Sequence, residues 1–346
     1  MMRVAQGEKK ELPMNEKENF YKTLGTLAPL YDDLDVTGIL INGPESVIIE
    51  RKGILETIDF KFDAPERIIE IIKALMALEG RSFDPTAAKI EMDLPYRKGR
   101  ALAVLPPTAA NGPDLVIRMH SQKVITWEML LEFNSVTPEA KSLIQQAIDD
   151  KVNILVAGGA FSGKTTMMNR IAELISPEDR VVIVEELNEL NIEHPHAVYL
   201  EAGEPPRLSF EEAIYTSSLM RPDWLVFSEI YGSAGPTALE ILSHGHTGMT
   251  TVHSNSAEEA LSRLEAMCLK FDPGLGPIEI RNMISAAFQL VLYARWLSDG
   301  SRKIIEIVEI CSVENGRYVL QRLFRFNPET YRLEATGLKP KWGEDF

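Results

Sequence analysis

Cysteine is scarce in this chain of 346 residues: Cys268 and Cys311 are the only two. They lie far apart with no C-x-x-C spacing, which argues against a metal framework and suits a reducing cytoplasm. Each is expected to be a small buried hydrophobe. Long apolar runs are missing too. The best candidate, Ile68 to Leu78, is interrupted by Glu70 and Lys73 and falls short of the ~20 residues that cross a bilayer. Met1 to Asn19 is polar and of mixed charge, without an apolar segment of signal-peptide length, so export is not expected. Residues 1–19 read as a disordered lead-in. Blocks of Lys and Arg are also absent. With 36 Lys+Arg against 51 Asp+Glu the net charge is -15, so direct binding of nucleic acid through phosphate neutralisation is disfavoured.

What is present is a Gly-rich stretch. Gly158, Gly159, Ala160, Phe161, Ser162, Gly163, Lys164 and Thr165 fit the phosphate-loop pattern G-x-x-x-x-G-K-[ST], with Thr166 following. Before it runs the apolar Val152 to Ala157, of buried-strand length. After it Met168, Ile171, Leu174 and Ile175 recur at helical spacing until Pro177. A loop joining a strand to a helix start presents free N–H groups and partial positive charge, and a polyphosphate is its natural occupant. Lys164 would reach the β- and γ-phosphates and the Thr165 hydroxyl would hold Mg²⁺.

The length allows two domains with cores of their own. Residues 20–120 read as an N-terminal α/β domain. Gly38 to Ile41 and Val47 to Arg51 form a hairpin around Asn42-Gly43-Pro44-Glu45, and a helix capped by Asp63 carries Ile68, Ile69, Ile72, Leu75 and Met76 on one face. Two further strands end near Arg100 and Arg118. Residues 121–136 read as a linker, too apolar for a free tether. Residues 137–346 read as a second domain, where strands and helices alternate as in a parallel sheet with crossovers. Its strands Arg180 to Val184, Trp224 to Ser228 and Met249 to Val252 end in Glu185-Glu186, Glu229 and His253, with Glu189 close by. Ligands of such sheets bind at the carboxyl ends of the strands. Lys303 to Cys311 and Tyr318 to Phe326 alternate as a strand pair around Glu314-Asn315-Gly316. His244-x-His246 with His253 could suggest zinc, but no cysteine supports it. His194 and His196 read as exposed loop residues.

Four blocks resemble the secretion ATPases of type II and type IV secretion, type IV pilus and conjugation machines. They are N-I-L-V-A-G-G-x-x-S-G-K-T-T at Asn153 to Thr166, the acidic box R-V-V-I-V-E-E-L-N-E-L at Arg180 to Leu190, the Walker B block R-P-D-W-L-V-F-S-E-I at Arg221 to Ile230, and the His box G-H-T-G-M-T-T-V-H-S-N-S at Gly245 to Ser256. The N-terminal hairpin and the Lys303 strand are similar to the tight-adherence pilus (CpaF-like) branch and its relatives in type IV secretion. The resemblance implies an α/β fold, a RecA-like P-loop ATPase domain with a smaller N-terminal α/β domain. It also implies ATP and Mg²⁺, a homohexamer, and work at the cytoplasmic face of the inner membrane on a platform protein. By the same resemblance Glu229 polarises the attacking water, and Glu185 is favoured over Glu186 to face the nucleotide. His246 and His253 sense the γ-phosphate or couple its loss to a subunit interface, and Arg100 and Arg118 reach toward the phosphates. Thr165, Glu186 and Glu189 are the expected metal-side groups. Ser228 stands where the family usually has Gly, Tyr231 where it has Arg, Glu186 where it has Asp and His244 where it has Thr. Two other readings stay open: a nucleotide-binding ring subunit with little turnover, and a nucleic-acid translocase of the same core fold.

Overall fold

The computed structural model describes residues 14–51, 53–96, 99–119, 124–186, 189–203, 206–272 and 274–342. The chain divides into two compact units, one ending at Val124 and one beginning at Ile125. Each buries its own core.

The first unit opens with helices α1 (Met14–Leu24) and α2 (Ala28–Asp32). Residues 1–13 of the expected lead-in lie outside the described residues, but from Met14 the chain is helical because Phe20 and Leu24 are buried in the core. An antiparallel sheet follows, in the order β3 (Ile54–Ile58), β2 (Ser46–Arg51), β1 (Val36–Asn42), β6 (Asp114–Met119), β5 (Gly99–Val104), β4 (Lys89–Asp93). Alternation buries Ile39, Ile41, Val47, Ile49, Leu115 and Ile117 on the face that receives Ile68, Ile72 and Leu75 of α3 (Pro65–Leu78). The cap expected of Asp63 is not made. Ala64 holds that position in extended geometry, and Pro65 supplies the preset first turn instead.

The second unit is built on nine strands in the order β15-β14-β13-β12-β7-β11-β10-β8-β9. Here β7 is Ile154–Gly158, β8 Val181–Glu185, β9 Ala197–Glu201, β10 Trp224–Phe227, β11 Gly248–His253 and β12 Leu290–Trp296; β13 is Arg302–Glu314, β14 Arg317–Asn327 and β15 Arg332–Ala335. From β12 to β9 all neighbours are parallel; β13, β14 and β15 add an antiparallel extension. Helices α4 (Trp127–Glu132), α5 (Pro138–Asp149) and α6 (Lys164–Ala172) share one core with one face of the sheet. The opposite face packs with α7 (Phe210–Ser218), α8 (Ala234–Ser243), α9 (Ala257–Phe271) and α10 (Pro277–Ala287). Ile154 and Val156 point into the first core, Leu155 and Ala157 into the second. That two-sided burial explains the continuous apolar run before the loop, and each of the larger side chains contributes roughly 1.5–3 kcal/mol.

The stretch expected to be a linker belongs to this second core. Residues 121–123 lie outside the described residues, but Trp127 and Leu130 of α4 are buried with Val136. Ser135 bonds to β13 through its hydroxyl, which donates to the Arg302 carbonyl at 2.7 Å, and through its own carbonyl, which accepts from Ile304 N–H at 2.9 Å.

Candidate active site at the phosphate loop

β7 lies in the interior of the sheet between β11 and β12, and all five of its residues are buried, so the loop leaves Gly158 from a fixed point. A Cβ at Gly158 would sit 2.4 Å from Ser162 Oγ and 2.5 Å from the Ala294 carbonyl oxygen, so only glycine fits there. Around Gly159 that position is open. Phe161 and Gly163 take φ of 59° and 95°, which curls the loop back onto the helix start. α6 begins at Lys164 without a side-chain cap, so its first-turn N–H groups, those of Thr165 and Thr166 among them, have no acceptor within the helix. Ser162 Oγ is buried with no partner. Open glycine, uncapped amides and an orphaned hydroxyl are the fittings of an anion site.

Lys164 is buried, and its ammonium donates to the Gly159 carbonyl at 3.0 Å and meets His253 Nδ1 at 3.3 Å. His253 pairs with Gly158 across β11 and β7, which brings its ring to the loop. An ammonium can only donate, so Nδ1 accepts and the ring proton resides on Nε2. That nitrogen lies 3.3 Å from Glu229 Oε1. Burial lowers the His253 pKa, with Lys164 and then Arg263 adding to the effect, in keeping with a neutral imidazole. Burial also lowers Lys164, opposed by the charges of Glu229 and Glu189. It raises Glu229, opposed by Lys164 and reinforced by Glu189. Lys164 is therefore coupled to Glu229 and Glu189 on one side and to His253 on the other. The turn that carries Glu229 is pinned: Ser228 N–H donates to the Val184 carbonyl at 3.0 Å, and the Ser228 carbonyl accepts the Thr251 hydroxyl at 2.8 Å.

The acidic box is arranged differently from the expectation that Glu185 faces the nucleotide. Glu185 is 2% exposed, and its Oε2 accepts the N–H groups of Glu189 at 2.9 Å and Leu190 at 3.0 Å. It organises the backbone of its own loop. Glu186, on the alternate face, accepts the Tyr231 hydroxyl, and the Tyr231 ring stacks on Phe210 at 5.9 Å and 18°. Among the described residues no three His, Cys, Asp or Glu side chains gather as a metal cage.

The two histidines of the His box are not brought together. His246 precedes β11, and its carbonyl accepts the Asn153 side-chain amide at 3.2 Å at the amino-terminal edge of the sheet. The strand carries His253 to the opposite edge, about 20 Å away at ~3.3 Å per residue. Sensing of a phosphate by both rings in one subunit is therefore excluded by the register, which pairs Met249 with Ile154 and His253 with Gly158. In the first unit Arg100 and Arg118 face each other across β5 and β6. The Arg100 guanidinium lies 3.8 Å from both Glu91 and Asp93 carboxylates.

The motifs did not disclose an apolar cavity of about 500 Å³ beside the loop. Its lining includes Leu130, Phe133, Met167, Ile304 and Arg302 together with Ser162 and Gly163. Their apolar side chains come from three separate segments, so no single stretch of sequence announces the pocket.

A RecA-type parallel sheet bearing an uncapped phosphate loop, with a lysine and an acidic strand end converging on it, defines a P-loop ATPase. The chain belongs to the type II/IV secretion system protein family, whose sequence profile matches residues 23–307. It is 28% identical over 296 residues to the probable conjugal transfer protein TrbB of Sinorhizobium fredii (strain NBRC 101917 / NGR234), spanning 84% of this chain and 88% of that one. Among solved structures, the ATPase DotB of Yersinia pseudotuberculosis superposes with a TM-score of 0.59 at 20% identity, covering 85% of this chain and 79% of its own. The pilus retraction motor PilT with bound ADP gives 0.55 at 17% identity, covering 95% and 84%. The last two similarities concern the fold. Among the described residues no helix is long and apolar enough to cross a membrane.

Proposed function

We propose that the chain binds ATP with Mg²⁺ at the phosphate loop and hydrolyses it as a homohexameric motor. The motor would drive pilus assembly, protein secretion or conjugative transfer from the cytoplasmic face of the inner membrane, on a platform protein. The observation that carries this reading is the convergence of Lys164, His253 and Glu229 at the loop. Bound Mg²⁺ would neutralise charge developing on the phosphates, with the Thr165 hydroxyl as its protein ligand. Lys164 exchanges the Gly159 carbonyl for phosphate oxygen. Glu229, kept basic enough by its burial, orients the attacking water and accepts its proton, and His253 holds that carboxylate through Nε2–H. The apolar cavity takes the nucleobase. Arg100 and Arg118 supply positive charge to the transferred phosphoryl group, a contribution of order 10³ to 10⁵ in rate where an arginine does this.

A second reading, a ring subunit with little turnover, is favoured by one contact: the Tyr231 hydroxyl on Glu186, which engages an acid of the site. Steady-state phosphate release by the purified assembly decides between them. Turnover that Lys164→Ala abolishes supports the motor; its absence in the unaltered protein leaves the ring subunit.

A further inference from the structure

The phosphate loop contains one non-glycine residue in left-handed geometry, Phe161 at φ 59°. Such a conformation is disfavoured for any residue with a Cβ and persists only where surrounding contacts impose it. Two contacts to Phe161 come from the far end of the sequence. Arg302, the first residue of β13, donates from Nε to the Phe161 carbonyl at 2.8 Å. Its stem lies against the last glycine of the loop, where a Cβ at Gly163 would be 3.5 Å from Arg302 Cδ. Its guanidinium stacks on Trp296 at 5.7 Å, and the Trp296 ring meets the Phe161 ring edge-on at 6.1 Å. Arg302 is thereby held by one partner while it holds another, and it also forms part of the cavity wall.

We propose that Arg302 is a positioning residue for the phosphate loop: it fixes Phe161 in the left-handed turn that aims the loop's amides at the anion. The proposal rests on the nucleotide-binding reading above. A planar guanidinium suits the task because it can donate from Nε while its face lies on an indole. A lysine cannot reproduce both contacts.

The test is fluorescence titration of the full-length chain with labelled ADP, for Arg302→Ala, Phe161→Gly, the double variant Phe161→Gly/Arg302→Ala, and Lys164→Ala. Arg302→Ala should weaken binding about tenfold, the scale of an unsupported left-handed residue. Glycine adopts positive φ at no steric penalty, so the double variant should return to within about threefold of Phe161→Gly. An arginine that only lends charge to the phosphates would leave the double variant as weak as Arg302→Ala, and that result overturns the proposal, as does undiminished binding by Arg302→Ala. If Lys164→Ala loses ADP while Arg302→Ala keeps it, the nucleotide site stands and the positioning role falls. If Lys164→Ala binds like the unaltered chain, the nucleotide reading fails and takes the proposal with it.

Discussion

Replacing Glu229 by Gln should make the nucleotide-free protein more stable while ending its turnover. The substitution keeps the shape, and the Gln carbonyl can still accept from His253 Nε2–H. What it removes is a negative charge on a side chain only 30% exposed, whose pKa is raised by burial first, reinforced by Glu189 and partly offset by Lys164. A carboxyl with a raised folded-state pKa stabilises the fold while protonated: that contribution is complete below the ordinary value near 4.5 and is lost as pH rises through the folded value. At pH 7.5 the unaltered protein therefore carries the ionised, partly desolvated group and the Gln variant does not. Functional residues relieved in this way commonly return about 1 kcal/mol, or ~2–4 °C in Tm for a unit of this size. Thermal melts from pH 8 down to 4.5 should show the gain shrinking as the pH falls, because protonation removes the same charge from Glu229. Phosphate release should drop by a factor of order 10² to 10³. A gain independent of pH, or a loss of stability at pH 7.5, would refute the assignment of Glu229 as a burdened site carboxylate.

Asn153→Ala should destabilise the second unit by about 2–4 kcal/mol in urea melts, because its side chain serves Gly248 N–H and the Ala287 and His246 carbonyls at the amino-terminal edge. ADP affinity should change far less, since the loop lies at the other edge. Tyr231→Phe keeps the stack on Phe210 and removes the hydroxyl that Glu186 accepts; turnover should change severalfold in either direction with Tm within ~1 °C, and unchanged kinetics would assign the hydroxyl no part in the site. Arg100→Ala and Arg118→Ala should lower kcat more than they raise KM, and equal kcat would remove them from the chemistry.

Much of the fold could be read because burial leaves a pattern in the residues. β7 and α6 are marked by the glycines between them, and the β13–β14 hairpin by Asn315-Gly316, which both adopt positive φ. The strands β3, β4 and β9 leave no such pattern: each is five residues long, and their charged or exposed positions resemble loop. α4 has only six residues, too few to show a helical period, so its buried Trp127 and Leu130 read as linker. In the site, Lys164, His253 and Glu229 could be named because each sits at a strand end or helix start that the motifs mark. His246 could not be placed the same way. Six residues, most of them in β11, separate it from His253, and only the pairing of β11 with β7 shows that they occupy opposite edges. Arg302 was invisible because its partner, Phe161, is distant in sequence and uses a backbone carbonyl, which no residue type announces.

β13 links distant parts of the second unit. It is thirteen residues long, about 43 Å at ~3.3 Å per residue. At one end Arg302 grips the loop; beyond the other, the Gly316 carbonyl is taken by Arg281 of α10 at 2.6 Å. Midway, Glu309 accepts the N–H groups of Lys341 and Trp342 near the carboxyl terminus. β13 is therefore a single hydrogen-bonded strand that joins the phosphate loop, the Lys341–Trp342 segment and α10 through the contacts at its two ends and its middle.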